Sequence, residues 1–212
     1  MLDPVEHWAR AQLEEKNAAR ERALADSREL IRHCAHSIRA VHRGEFARAA
    51  ELRDQARRLN EKLAADLAAH PDLYYSGYVQ DAQKEYAEAC LTYALVRGEP
   101  LPHPELLGVA VAPFLNGLAE SVGELRRYIL DQLRQGKLER AEEILQTMDD
   151  IYGLLVTMDY PDALTGGLRR ATDSVRGIME KTRGDLTFAL RQRELEQALA
   201  GFDTRERAGE QA

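Results

Sequence analysis

Three carboxylates follow one another along a single predicted helix. Asp81, Glu85 and Glu88 are separated by four and three residues, and side chains at these spacings share one face of an α-helix. Like charges so arranged repel one another by roughly 0.2–0.5 kcal/mol per pair. Carboxylate oxygens are also ligands of Mg²⁺, which usually keeps several waters beside one or two of them. The stripe is therefore either a solvated face or a cation site, and the spacing alone leaves both open.

Further carboxylates occur in two later segments. Glu120 and Glu124 lie four residues apart in LAESVGELRR, and Asp149 and Asp150 are adjacent in TMDDIYGLL. A helical bundle could bring them to the stripe. A Glu pair from one helix and an Asp from another would suit a metal-dependent phosphodiesterase, whose metal activates water and stabilises a negative transition state. The alternative for the Asp pair is an exposed position. No Glu-x-x-His sequence is present, which argues against a di-iron centre.

A basic segment precedes the acidic stripe. SRELIRHCAHSIRAVHRGE carries four arginines near one helical face, together with histidines. Such a face suits contacts with phosphates, although a solvated surface with Glu29 and Glu45 as partners is the alternative. The candidate residues for binding nucleic acid are Arg28, Arg32, Arg39, His42 and Arg43.

The overall charge limits the function classes. A net charge of −7 argues against a protein dedicated to nucleic acids. Residues 20–62, however, hold eleven Lys or Arg against seven Asp or Glu, so one region could still face a polyanion. The chain contains no P-loop, Gly-rich dinucleotide loop or zinc pattern. Cys34 and Cys90 lack metal-ligand spacing and are predicted to be buried, reduced thiols.

Helical periodicity and Gly- or Pro-containing breaks predict an all-α protein. We expect a bundle of six to seven mostly long antiparallel helices in one domain, residues 1–200, followed by a polar flexible tail, residues 201–212. No apolar run is long enough for a transmembrane helix, and the N-terminus lacks a signal-peptide core. A cytoplasmic location without membrane contact is therefore predicted. The six long helices are expected at about 4–43, 46–67, 78–96, 109–134, 138–158 and 168–199.

Several segments together resemble the translin family, which comprises translin and translin-associated factor X. They are the basic segment above, YYSGYVQDAQKEYAEACLTYAL, PFLNGLAESVGELRRYIL and MDDIYGLLVTMDYPDALTGGLRRATDSVRGIMEKTRGDL. The likeness spans roughly residues 20–190. It rests on the order and spacing of these segments, of which KEYAEA and LNGLAESVGELRR are the most specific.

The resemblance implies an all-α fold that assembles into octameric barrels and binds single-stranded RNA or DNA. Factor X is a metal-dependent endoribonuclease subunit with an E-Y-x-E pair, which Glu85 and Glu88 match here. Its later aspartate stands in a D-x-aromatic pattern, which Asp150 matches through Ile151-Tyr152. The resemblance thus implies catalysis and metal binding by Glu85, Glu88 and Asp150. Glu124 is a further candidate ligand, and the expected ion is Mg²⁺, with Mn²⁺ as the alternative.

One departure from the family shifts the expected nucleic-acid surface. Translin has Arg and His residues just after its Tyr-Tyr pair, whereas this chain has Ser76, Gly77 and Tyr78. Contact with nucleic acid must then depend more on the basic segment. The expected function is a homo-octameric, Mg²⁺-dependent endoribonuclease acting on single strands. The alternatives are a translin-like protein that binds single strands without cutting them, and a structural bundle with solvated charges.

Overall fold

The computed structural model describes residues 2–209, with side chains for residues 2–200. Within this part of the chain every regular element is helical, which confirms the predicted all-α class. In chain order the helices are α1 (Asp3–His42), α2 (Phe46–Asp66), α3 (Pro71–Tyr74), α4 (Gly77–Arg97), α5 (Pro104–Leu107), α6 (Val111–Arg134), α7 (Leu138–Val156), α8 (Asp162–Thr165) and α9 (Leu168–Gly209). Six of them are long, and α3, α5 and α8 are four-residue helices in the connections.

Glycines punctuate the long helices as their sequence predicts. Gly44 follows α1 with φ +73°, and Gly98 follows α4 with φ +69°, a left-handed conformation that side chains with a Cβ disfavour. The predicted ends of the first five long helices agree with the structure to within about two residues. The last prediction is wrong, because α9 continues through Gly209. Gly201 is tolerated inside a helix at a cost of roughly 1 kcal/mol, and Arg and Glu around it favour helix.

Two apolar clusters meet on helix α4. One joins α1, α2 and α4 around Leu30 and Leu63, and the other joins α4, α6, α7 and α9 around Val122 and Met148. All residues from Tyr86 to Val96 are buried, so α4 is the central helix of the bundle. A helix that is apolar on nearly every side has to be enclosed by others. A carboxylate within that run is therefore carried into the interior.

Both cysteines lie in the same interior. Cys34 and Cys90 are buried free thiols, as the sequence predicts. Burial raises the pKa of Cys90 to about 11, so the thiol form is retained at neutral pH. Among the described residues no helix combines the length and the apolar character that spanning a bilayer demands.

Candidate metal centre between helices α4 and α6

Three carboxylates converge where α6 crosses α4. Glu85 and Glu88 come from α4 and Glu120 from α6, and one oxygen of each lies within 4.8 Å of those of the others. Glu120 is exposed, Glu85 is half-buried, and Glu88 is only 8% exposed. The group thus extends from the surface into the seam between the two helices.

Gly117 explains why the two helices approach so closely here. A Cβ at this position would lie 2.7 Å from the carbonyl oxygen of Lys84 and 2.9 Å from the backbone nitrogen of Glu88. Only glycine allows the backbone of α6 to pack at that distance against α4. Glu120 follows Gly117 by one helical turn, so the same contact delivers its carboxylate to the pair on α4.

Burial and mutual repulsion raise the proton affinity of the inner carboxylates. Burial is the largest influence on Glu88, followed by the negative charges of Glu85 and Glu120, and together they raise its pKa to about 8. Burial likewise raises the pKa of Glu85, against the opposing charge of Lys84. Within the described residues the Glu88 side chain makes neither a hydrogen bond nor an ion pair. Its carboxylate lines the groove, so water or a cation in that space is the partner available to it.

Two basic side chains flank the group. The ammonium of Lys84 lies 2.7 Å from a carboxylate oxygen of Glu120 and 3.6 Å from one of Glu85. Partial burial lowers the pKa of Lys84, but the hydrogen bond to Glu120 and the nearby carboxylates outweigh it and raise the pKa overall. Lys84 therefore stays charged and partly neutralises the centre.

His42 is the second flanking group. Its ring is almost fully buried, and Nε2 contacts a carboxylate oxygen of Glu124. That hydrogen bond is the largest influence on Glu124 and lowers its pKa, so this carboxylate stays ionised. Glu124 lies beside the three converging carboxylates, close enough for its charge to act on Glu88.

The donor set fits a hard divalent cation. All three converging side chains offer carboxylate oxygens, which Mg²⁺ and Mn²⁺ prefer, and the group includes no thiol or imidazole of the kind that selects zinc. Glu88 gains most from such an ion, because a cation offsets the repulsion from Glu85 and Glu120 that raises its pKa. The residues present therefore fit a magnesium or manganese ion.

A groove of about 1230 Å³ opens over this centre. It runs between α4, the start of α6 and the α8–α9 turn, and Glu88, Lys84 and Glu120 form part of its wall. Tyr75 and Arg170 also line it, so a ring face and a guanidinium are available within the same space. The groove is large enough to admit part of a polymeric substrate to the carboxylates.

The structure brings Glu85 and Glu88 together, but it does not bring Asp150 to them. Helix α7 buries Met148 and Ile151, which leaves Asp150 exposed between them. Its carboxylate accepts a hydrogen bond of 3.0 Å from Nε2 of Gln146, one turn earlier on the same helix. Glu120 stands in the place that the sequence analysis gave to Asp150.

The predicted basic face divides into two parts. Arg28, Arg32, Arg39 and Arg43 are all exposed on α1, whereas His42 is turned inward toward Glu124. Arg32 pairs with Glu29 at 3.3 Å, and Arg43 pairs with Glu45 at 2.7 Å. Arg28 and Arg39 form no ion pair with any residue that the structure describes. These two guanidiniums are the ones most available to phosphates.

The sequence does not single out Glu120 as a ligand and gives Lys84 no role. Glu120 is only one of the carboxylates that a helical bundle could bring to the stripe, and Lys84 is part of KEYAEA. The signal that could have identified Glu120 is Gly117, because a glycine inside an amphipathic helix often marks a close helix contact. For Lys84 the spacing gives no signal, since its contact with Glu120 joins two helices.

Comparison with known proteins finds relatives over most of the chain. No protein-family model matches. The uncharacterized protein MJ0175 of Methanocaldococcus jannaschii is 33% identical over 190 residues, which cover 88% of this chain and 83% of the relative.

Solved structures match at similar coverage. An AfC3PO–duplex RNA complex has a TM-score of 0.82 and 38% identity, covering 88% of this chain and 97% of its own. AfC3PO alone has a TM-score of 0.81 and 36% identity over the same shares. Apo-NeC3PO has a TM-score of 0.79 over 89% of this chain and 98% of its own, and at 21% identity it supports the fold alone.

Proposed function

Because the chain belongs to the translin/C3PO family, we propose that it binds RNA as an oligomer and cuts single strands with a divalent cation. The observation that carries this proposal is the buried, unpaired carboxylate of Glu88 beside Glu85 and Glu120. A purely structural helix seam would not need three carboxylates, because their repulsion destabilises it. The RNA-bound AfC3PO relative supports RNA as the class of ligand.

In this proposal each residue of the centre has a distinct task. Glu85, Glu88 and Glu120 hold the cation, which is Mg²⁺ or Mn²⁺. When bound, such an ion lowers the pKa of a coordinated water and offsets charge on a phosphate. Glu124, kept ionised by His42, adds negative charge beside the ligands. Gly117 keeps α6 close enough for Glu120 to join the other two.

The substrate path follows from the shape and charge around the centre. The groove leads to Glu88, and Arg170 on its wall offers a positive charge for a phosphate. Arg28 and Arg39 provide further exposed guanidiniums on α1. We propose single-stranded RNA or DNA as the bound polymer, with contacts mainly to phosphates and therefore with strong salt dependence.

We also propose a cytoplasmic homo-octamer, because the chain belongs to this family. Exposed large apolar residues on α1 and α9, including Trp8 at 66% and Phe188 at 72%, are consistent with contacts between copies. Light scattering would check the assembly, since a mass near the 23.9 kDa of one chain would exclude it.

A non-catalytic single-strand-binding protein is the second candidate. The observation that favours it is the contact of Lys84 with Glu120, which already neutralises part of the centre. The converging group also does not include Asp150, so the donor set lacks the aspartate expected from the resemblance.

The two candidates separate in one assay. Purified protein is incubated with end-labelled single-stranded RNA in Mg²⁺ and in excess EDTA. We expect cleavage only with Mg²⁺, and we expect the Glu85→Gln, Glu88→Gln double variant to abolish it while RNA binding persists. Binding without cleavage by the unmodified protein would instead favour the second candidate.

A matched control uses another acidic pair at the same spacing. Glu51 and Asp54 are exposed on α2, three residues apart, and the Glu51→Gln, Asp54→Asn variant should cleave normally. Asp150→Asn is measured separately. Loss of cleavage in that variant would assign Asp150 a role that the geometry of one chain does not account for.

A further inference from the structure

We propose that Lys84 is an internal counter-ion that holds the place of the divalent cation and sets how tightly that cation binds. The inference rests on the proposed function, because it concerns the same centre. The ammonium lies 2.7 Å from Glu120 and 3.6 Å from Glu85, so it contacts two of the three converging carboxylates. A divalent cation that uses the same oxygens competes with it directly.

The charges explain why such a placeholder is useful. Three carboxylates within 4.8 Å of one another repel, and the repulsion is strongest at Glu88, which is 8% exposed. The Lys84 side chain is 23% exposed, so its charge is only partly screened by solvent. It therefore stabilises the metal-free seam, and the same positive charge opposes the arrival of a second cation.

Lys84 does not pair with Glu88, so this carboxylate stays available to a cation. No ion pair joins Lys84 to Glu88 among the described residues, and Glu88 is 8% exposed with no hydrogen-bond donor. Glu88 also faces the groove. Lys84 thus pairs with the outer carboxylates, and the innermost one, Glu88, has no ion-pair partner among the described residues.

The lysine has room to leave when the ion enters. Its side chain lines the groove of about 1230 Å³, and a four-carbon stem with a compact ammonium can swing through that space without moving the helix. Lys84 is therefore a displaceable cation beside its carboxylates.

The test measures binding of Mn²⁺ alone, by titration calorimetry and by the loss of the free-ion electron paramagnetic resonance signal. Lys84→Met removes the charge and keeps most of the stem. We expect it to bind Mn²⁺ roughly tenfold more tightly than the unmodified protein, because one repelling charge beside the ion is gone. Lys84→Arg keeps the charge and should bind within about twofold of the unmodified protein.

Lys62→Met is the matched control. Lys62 also bridges two carboxylates, those of Asp26 and Asp66, but it lies on the α1–α2 side of the molecule and not in the groove. Its loss should leave Mn²⁺ affinity unchanged. A gain in affinity common to both lysine variants would reflect net charge alone and would overturn the inference.

Thermal unfolding supplies a second readout. In EDTA, Lys84→Met should unfold at a lower temperature than the unmodified protein, and saturating Mn²⁺ should narrow that gap. A merely structural ion pair would give the same loss with and without Mn²⁺, together with unchanged affinity. That result, in Lys84→Met or in Lys84→Gln if the first variant does not fold, would overturn the inference.

Failure of the proposed function gives a different pattern. If the unmodified protein and the Glu85→Gln, Glu88→Gln variant bind Mn²⁺ equally, the carboxylates are not its ligands, and both proposals fall. If the glutamines abolish binding but Lys84→Met does not tighten it, only the role of Lys84 falls.

Discussion

The acidic group between α4 and α6 and the arginine face of α1 begin from the same kind of pattern. In each, the starting pattern is like charges three, four or seven residues apart on one helix, which are Glu85 and Glu88 on α4 and the arginines on α1. In the folded chain they differ in burial, since Glu88 is 8% exposed whereas the arginines stand in solvent. Spacing therefore places like charges on one face of a helix, and packing against a neighbouring helix determines whether that face is buried or exposed.

Solvent determines how the two regions manage their charge. On α1, Arg32 and Arg43 are balanced locally by Glu29 and Glu45, and exposed pairs of this kind contribute little to stability. In the seam between α4 and α6, burial and the nearby carboxylates raise the pKa of Glu88 to about 8. The buried region is poised for a cation, and the exposed region is open to a polyanion.

Gly117→Ala should have the broadest effect, because it disturbs the close contact between α4 and α6 that buries Glu88 and positions Glu120. The added Cβ meets backbone atoms of α4 at 2.7 and 2.9 Å, so the helices must separate. We expect a loss of about 1–3 kcal/mol in the free energy of unfolding. Mn²⁺ binding should weaken as well, because Glu120 moves away from its partners. Denaturant unfolding and calorimetry measure the two effects.

Gly123→Ala is the control on the same helix. A Cβ there has no neighbour within 4 Å, so alanine should be neutral or slightly stabilising. Equal behaviour of the two alanine variants would show that close packing at Gly117 does not build the centre.

The fold was largely predictable, because its determinants are local. Glycine and proline breaks and the helical periodicity located the six long helices, and the run from Tyr86 to Val96 marks α4 as central. The end of α9 was not predictable in this way. The polar composition after Leu199 gives no apolar periodicity, although it is compatible with the helix that extends to Gly209.

The site was only half predictable, because half of it depends on contacts between helices. Glu85 and Glu88 share a helix face by their spacing alone, and the resemblance singled them out. Glu120 joins them through Gly117, and His42 turns inward to Glu124 on α6. Glu120 and Asp150 are both exposed, so the contact between helices is what separates them as partners. Glu120 lies one turn after the close contact of Gly117 with α4, and no local pattern gives that contact.

Glu88→Gln tests whether the burial of Glu88 among like charges makes the stability of the protein depend on pH. The pKa of Glu88 is raised from 4.5 to about 8, so folding favours its protonated form. In metal-free protein this carboxyl therefore contributes stability below about pH 4.5, which is lost as the pH rises toward 8. Glutamine mimics the protonated form, so the variant should be more stable than the unmodified protein at pH 8, since each unit of raised pKa represents about 1.4 kcal/mol. At pH 5 the difference should nearly vanish.

The measurement is denaturant unfolding in EDTA across pH 5 to 8. Asp81→Asn is the control, because Asp81 belongs to the same stripe but is exposed. A pH-independent difference for Glu88→Gln would mean that its carboxyl is not buried among like charges. Mn²⁺ should reverse the order at pH 8, since only the unmodified protein gains a full set of ligands.

The smallest expected effect is on RNA binding by the exposed arginines of α1. Arg28→Ala with Arg39→Ala removes the two guanidiniums of the basic face that have no ion pair within the described residues. Each lost phosphate contact should reduce the salt slope of single-stranded RNA binding by about 0.7. The control, Arg48→Ala with Arg57→Ala, removes the same charge from α2, where both arginines pair with acids on their own helix.

Fluorescence anisotropy at several salt concentrations gives the slopes. If both double variants lower the slope equally, RNA senses only net charge, and the arginines of α1 form no defined surface. If only the α1 variant lowers it, exposure without a partner is what distinguishes a phosphate-binding arginine from its paired neighbours.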